Sequence, residues 1–200
     1  MPNDTDDLAV MIGSRICHDL ISPIGAISNG LELMSLGGAA ALGPEFELIN
    51  DSCASATARI RFFRVAFGSS PGAQRMARRE ITGIMDDIAR GSRVSSRWQP
   101  PGDLSRDAVQ LAFLTYLCLE TAMPRGGTVT FDHDSDGWHI RAETAHLAMG
   151  NGLWTLFSDP GTPVEVTPSR VEFALLDRLT RAAGQSVRVT QGDGTLTLRI

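Results

Sequence analysis

Apolar side chains recur at helical spacing through the first seventy residues. Ile16, Leu20, Ile24, Ile27, Leu31 and Met34 follow Leu8 and Ile12 at steps of three and four, the stripe of an amphipathic helix. The acidic run Asn3–Asp7 suits the positive end of that helix, and Gly37-Gly38 suits its stop. A second helix is expected from Pro44, a good first-turn residue. Its apolar positions, Phe46, Ile49, Cys53, Ala56, Ile60, Phe63 and Phe67, alternate steps of three and four, which is a heptad seam. Two such helices joined by a short loop form an antiparallel hairpin. A lone hairpin has too little interior to cover both seams, so pairing with a second copy into a dimeric four-helix bundle is expected. Phe62 and Val65 lie off the seam and are expected to pack elsewhere in the chain.

Beyond the turn cluster Gly68–Gly72 the pattern changes to mixed helix and strand. Residues 1–70 therefore read as the hairpin and residues 71–200 as an α/β domain, an overall α + α/β fold. Helices are expected at Glu80–Ala89, Leu104–Ala122 and Arg170–Ala183, and an extended segment at Arg93–Trp98. Thr128–His133 and Trp138–Glu143 flank Asp134-Ser-Asp-Gly137, and Ser186–Thr190 and Thr195–Ile200 flank Gly192-Asp-Gly194, both hairpin signals. Residues 144–166 carry no clear pattern beyond a helical turn near Leu153–Phe157. This order suggests a sheet with helices on one face.

Composition narrows the function classes. The net charge of −5 and pI near 5.3 argue against broad binding to nucleic acid or anionic membrane. All 18 basic residues are Arg, a bias that fits a GC-rich genome. Cys17, Cys53 and Cys118 are widely spaced, odd in number and lack a Cys-x-x-Cys pair, against a disulfide framework or zinc site. Cys17, beside His18, reads as a buried or half-buried thiol rather than a nucleophile. No apolar run is long enough to span a bilayer and no signal-peptide pattern begins the chain, so a cytoplasmic protein without a membrane partner is expected. Asp132, His133, Asp134 and His139 offer a metal-site alternative, but on a hairpin they read as plain polar surface.

The informative stretch is Ser14–Gly25. On a helical wheel His18 falls about 200° from Ile16, away from the seam, with Ser14, Ser22, Gly25 and Asn29 on its side. An exposed imidazole among small polar neighbours suits phosphoryl carriage, because its neutral form keeps one ring nitrogen as a nucleophile. Asp19 is positioned to orient the ring or fix its tautomer, although adjacent helical residues diverge by about 100°. Pro23 removes the donor that the Asp19 carbonyl would have used, and predicts a kink just beyond His18.

His18-Asp-Leu-Ile-Ser-Pro23 resembles the phosphoacceptor motif of two-component histidine kinases, on the first helix of a hairpin as in that family. The second half resembles the GHKL ATP-binding fold: Leu111–Gly127 is similar to the N-box segment, and Val171–Ile200 to the end of that domain. Phe113–Ala122, however, contains no Asn, and neither Asp-x-Gly-x-Gly nor a Gly-rich lid occurs. A phosphoacceptor hairpin with a degenerate kinase-like domain resembles the ChpT family of alphaproteobacterial histidine phosphotransferases, and Arg59–Gly68 supports that resemblance. The resemblance implies a homodimer that shuttles phosphate between receiver domains, from that of a hybrid histidine kinase to those of response regulators. It implies His18 as acceptor and Asp19 as its partner, with Arg15, Ser22, Gly25, Asn29 and Arg61 meeting the receiver. No cofactor is expected on this chain, since Mg²⁺ belongs to the receiver. The alternatives are a non-catalytic pseudokinase adaptor and a response-regulator phosphatase in which Ser22 or Asn29 places water.

Overall fold

The structure is a computed structural model that describes residues 4–37, 43–69, 74–150, 152–159 and 164–200. Helices α1 (Asp4–Gly37) and α2 (Pro44–Ala66) form the expected hairpin, and α1 continues through Pro23. The expected stop residue Gly38 and the linker residues 70–73, where the domain division was placed, lie outside the described residues.

The second unit follows in the order β1 (Arg75–Met76), α3 (Arg78–Arg90), β2 (Val94–Trp98), β3 (Leu104–Ser105) and α4 (Arg106–Ala122). Then come β4 (Gly127–Asp134), β5 (Gly137–Glu143), α5 (Thr155–Ser158), α6 (Val171–Ala182), β6 (Arg188–Gly192) and β7 (Thr195–Arg199). A 3-10 turn, Pro168–Arg170, leads into α6. The main sheet runs β2-β4-β5-β7-β6, with β2 parallel to β4 and the other pairs antiparallel. β1 and β3 make a separate antiparallel ribbon.

The expected elements appear with shifted ends. The helix expected from Leu104 starts at Arg106, because Leu104 and Ser105 pair with the short strand β1. Ser105 then caps α4, its Oγ accepting from the Ala108 N–H at 3.2 Å. Both hairpin readings hold: Gly137 and Gly194 take positive φ at the β4–β5 and β6–β7 turns, which glycine adopts without steric cost. At Gly137 a Cβ would also collide with the Ile200 carbonyl oxygen. The helical turn expected near Leu153–Phe157 is α5.

Inward side chains of the sheet (Val129, Phe131, Ile140, Ala142, Leu196 and Leu198) are fully buried, as are Val109, Phe113, Leu114 and Tyr116 of α4. The hairpin joins this core. Phe62 is stacked on Phe113 with centroids 4.6 Å apart and planes 4° apart, and Phe62 and Val65 are buried as expected for residues off the seam. Polar anchors reinforce the junction: Gln110 donates to the carbonyls of Ala66 and Gly68 at 3.0 and 2.9 Å, and Arg106 to that of Arg64 at 2.6 Å. The lower part of α1 packs against α6 and the 3-10 turn, while α2 packs against α3 and α4.

Several apolar side chains of the hairpin are exposed among the described residues. Ile24, Leu31, Phe46 and Ile60 are 46–55% exposed, and Cys17 and Cys53 are exposed too. The expectation of a half-buried Cys17 is corrected: its helical position falls on the exposed apolar stripe with Val10, Ile21 and Ile24, which no described residue covers. Phe62→Ala should destabilise the protein by about 3–5 kcal/mol, since it empties a site buried on all sides. Chemical denaturation monitored by circular dichroism checks this.

Candidate functional site

His18 stands on the open face of α1 with its side chain 77% exposed. Ser14, Ser22, Gly25 and Asn29 are exposed along the same side of the helix, as the helical period predicts. The question left open by the sequence, whether Asp19 reaches the ring, is answered by the geometry. His18 Nδ1 lies 3.0 Å from Asp19 Oδ1. An ionised carboxylate has only acceptors, so the shared proton sits on Nδ1 and the Nε2 lone pair is left facing solvent.

Asp19 is itself fixed. Its side chain is 11% exposed, and its other oxygen meets Arg15 Nη2 at 3.3 Å and Arg59 Nη1 at 3.7 Å. One carboxylate thus joins the imidazole to two guanidinium groups, one from each helix of the hairpin. Arg15 also donates through Nη1 to the Ser169 carbonyl at 2.6 Å, in the 3-10 turn before α6. The site is therefore tied to the α/β domain as well as to the hairpin.

One of the expected partner-facing residues, Arg15, stands elsewhere, while Arg61 keeps 43% of its side chain exposed beside Asp87, which lines the groove at His18. Arg15 was expected to meet a receiver, but its side chain is 11% exposed and turned inward to Asp19 and Ser169. At position 15 the α1 side chain faces the α6 end of the domain rather than the open surface. Arg61 turns to α3, where its Nη1 bonds Asp87 Oδ2 at 2.8 Å and Arg90 bonds the other oxygen of the same carboxylate. The arginine that reaches Asp19 is Arg59, which the sequence reading did not single out. Residues 59 and 61 differ by about 200° around a helix, so only one of them can face α1. That rule limits the choice to one residue without saying which.

A groove of about 800 Å³ runs beside the imidazole, with His18, Ser22, Asp51, Ser55, Arg59, Asp87 and Arg90 among its lining. A smaller cavity of about 230 Å³ lies deeper between the hairpin and α3–α4, reached by Arg15, Asp19, Arg59, Tyr116 and Glu120. α3 therefore contributes to the surface around His18, which the sequence pattern did not indicate.

The side chains weighed as a metal site make local contacts. Asp132 Oδ1 accepts from the His133 N–H at 2.9 Å and Asp134 Oδ1 from the Asp136 N–H at 2.8 Å. The His133 ring packs edge-on against Trp138 with centroids 4.7 Å apart. Among the described residues no group of three His, Cys, Asp or Glu side chains could hold a metal ion, and no helix is long and apolar enough to cross a membrane.

The architecture is a helical hairpin displaying a carboxylate-held histidine, set on an α/β domain. Residues 78–195 match the family model described as the histidine phosphotransferase C-terminal domain. That match covers more than half of the chain, and the chain belongs to the histidine phosphotransferase family. It is 37% identical over 126 residues to the protein phosphotransferase ChpT of Brucella abortus (strain 2308), across 62% of this chain and 59% of that protein. The aligned region thus spans less than two thirds of the curated relative's length. A solved structure described as a bacterial phosphotransferase superposes with a TM-score of 0.82 over 99% of this chain and 97% of that one, at 27% identity.

If Asp19 fixes the ring, Asp19→Asn should lower the fraction of His18 carrying its proton on Nδ1, because the amide presents a donor as readily as an acceptor. Arg59→Ala should perturb the same signals and Arg61→Ala should leave them in place. ¹⁵N chemical shifts of His18 report all three.

Proposed function

We propose that this chain is a phosphorelay intermediate that carries a phosphoryl group on Nε2 of His18 between aspartates of receiver domains. The observation that carries the reading is the exposed imidazole whose Nδ1 is engaged by Asp19 at 3.0 Å. Nε2 is then the nucleophile. It attacks the phosphorus of a receiver's aspartyl phosphate in line, the N–P bond forming as the bond to the aspartyl oxygen breaks and that carboxylate departs. The phosphorylated ring is cationic and keeps its Nδ1 proton, which Asp19 holds and whose charge it offsets. The reverse sequence returns the phosphoryl group to a second receiver.

Charge neutralisation of the transferring group by a divalent cation is the receiver's part, so this chain takes no cofactor of its own. Asp19 orients and balances charge, while Ser22, Gly25 and Asn29 offer a small-residue surface that lets a receiver approach closely. The partners are the receiver of a hybrid histidine kinase on one side and response-regulator receivers on the other, and the relay works in the cytoplasm. The curated relative is named a protein phosphotransferase, which supports this activity.

The protein acts as a homodimer whose hairpins make a four-helix bundle. Its support is the exposed apolar side chains of both helices, Ile24 and Leu31 of α1 and Phe46 and Ile60 of α2, which burial in a second copy would take out of water. His18 lies on a different side of α1, about 120° from Ile24 on the wheel, and stays accessible in such a dimer.

Incubation with a purified receiver domain phosphorylated by acetyl phosphate should transfer acid-labile label to the wild-type chain and none to His18→Ala. Label retained by His18→Ala would exclude His18 as acceptor. The double substitution Ile24→Glu with Ile60→Glu should convert a dimer to a monomer in sedimentation velocity.

A further inference from the structure

Glu172 is the most deeply enclosed acid among the described residues. It lies in the first turn of α6 with no solvent exposure, and neither carboxylate oxygen has a hydrogen-bond partner of ordinary geometry. Burial pushes its pKa above the ordinary carboxylate value, opposed first by the Arg15 guanidinium, then by its own backbone amide and Arg170. Asp19 acts in the raising direction. From α4, the buried Cys118 thiol shares this environment. A carboxylate buried in this way costs stability, and an apolar side chain of similar volume usually replaces it without loss.

Arg15 explains why the acid is there. Its side chain is 11% exposed, its Nε is buried without a partner, and its two terminal nitrogens are spent on Asp19 and the Ser169 carbonyl. The guanidinium meets Asp19, which holds His18, and through the Ser169 carbonyl it is fixed three residues before Glu172, whose charge it opposes ahead of Arg170. We propose that Glu172 is a positioning residue for phosphoryl transfer, acting on His18 through Arg15 and Asp19. This rests on His18 being the phosphoacceptor. Glu172 supplies the negative charge that keeps Arg15 inside the α1–α6 junction while its Nη2 braces Asp19. Without that charge, Arg15 either leaves for solvent or draws Asp19 fully onto itself. Either movement loosens the contact between Asp19 and Nδ1.

The test compares the full-length wild type with Glu172→Gln, and with Glu172→Met should the amide fail to fold. Two readouts are taken: the His18 tautomer by ¹⁵N shifts, and the initial rate of transfer from a receiver phosphorylated by acetyl phosphate. Expected are a smaller Nδ1-protonated fraction and transfer slowed by roughly tenfold, the lower end of what outer partners of metal-bound histidines cost, with receiver affinity unchanged. The thermal midpoint of the variant should equal or exceed that of wild type at neutral pH. A group with a raised folded-state pKa loses stability as pH rises through that pKa, so the gain should vanish in acid, where Glu172 is protonated in both states. An unchanged tautomer and transfer rate in a folded variant would overturn the proposal. A wild-type chain that takes no label would instead overturn the phosphoacceptor reading, and the tautomer would still judge the coupling.

Discussion

The Asp19 carboxylate is the point on which the arrangement turns. One oxygen meets the imidazole; the other faces Arg15 from the same helix and Arg59 from the next. A carboxylate can serve that many donors because its two oxygens offer about four lone-pair sites. Nearly buried, it is shielded from the water that would otherwise compete for it. The ring it holds is almost free, which divides the labour: the part that must be fixed is inside, and the part that must react is outside.

That division depends on how the hairpin is seated. Arg15 reaches Asp19 while bonded to the Ser169 carbonyl, so the docking of α1 against the turn before α6 is also the support of the site. On the other side, Phe62 stacked on Phe113 and the Gln110 contacts to the end of α2 fix the second helix. Arg59 lies one turn before Phe63 on this anchored stretch. The α/β domain, lacking the nucleotide-binding residues that its pattern brings to mind, still has physical work here: it sets where the arginines and α3 stand around His18.

The upper hairpin presents the opposite case. Its apolar stripe is regular in sequence but only partly covered among the described residues: Ile27, Ile49 and Ala56 are half-buried or buried, while Ile24, Leu31, Phe46 and Ile60 are exposed. The exposed members of the α2 seam, Phe46, Cys53 and Ile60, are what a second copy would cover. The exposed Cys17 belongs to that stripe rather than to the histidine, since a side chain's surroundings on a helix follow its angle, not its neighbour in sequence.

Periodicity by itself settled the two helices, their antiparallel joining, the open face of His18 with Ser22, Gly25 and Asn29, and the turns at Gly137 and Gly194. Each of these follows from local rules: 3.6 residues per turn, or a backbone conformation only glycine adopts freely. Sequence alone could not choose between Arg59 and Arg61, see that Arg15 turns inward, or distinguish Glu172 from any acid in a first helical turn. Those outcomes depend on which residue of one element meets which residue of another. Contacts between α1 and α6, or α2 and α3, exist only after the core around Phe62, Phe113 and Tyr116 has set the distances. Tertiary packing therefore decided how His18 is held, although the sequence had already marked where it stands.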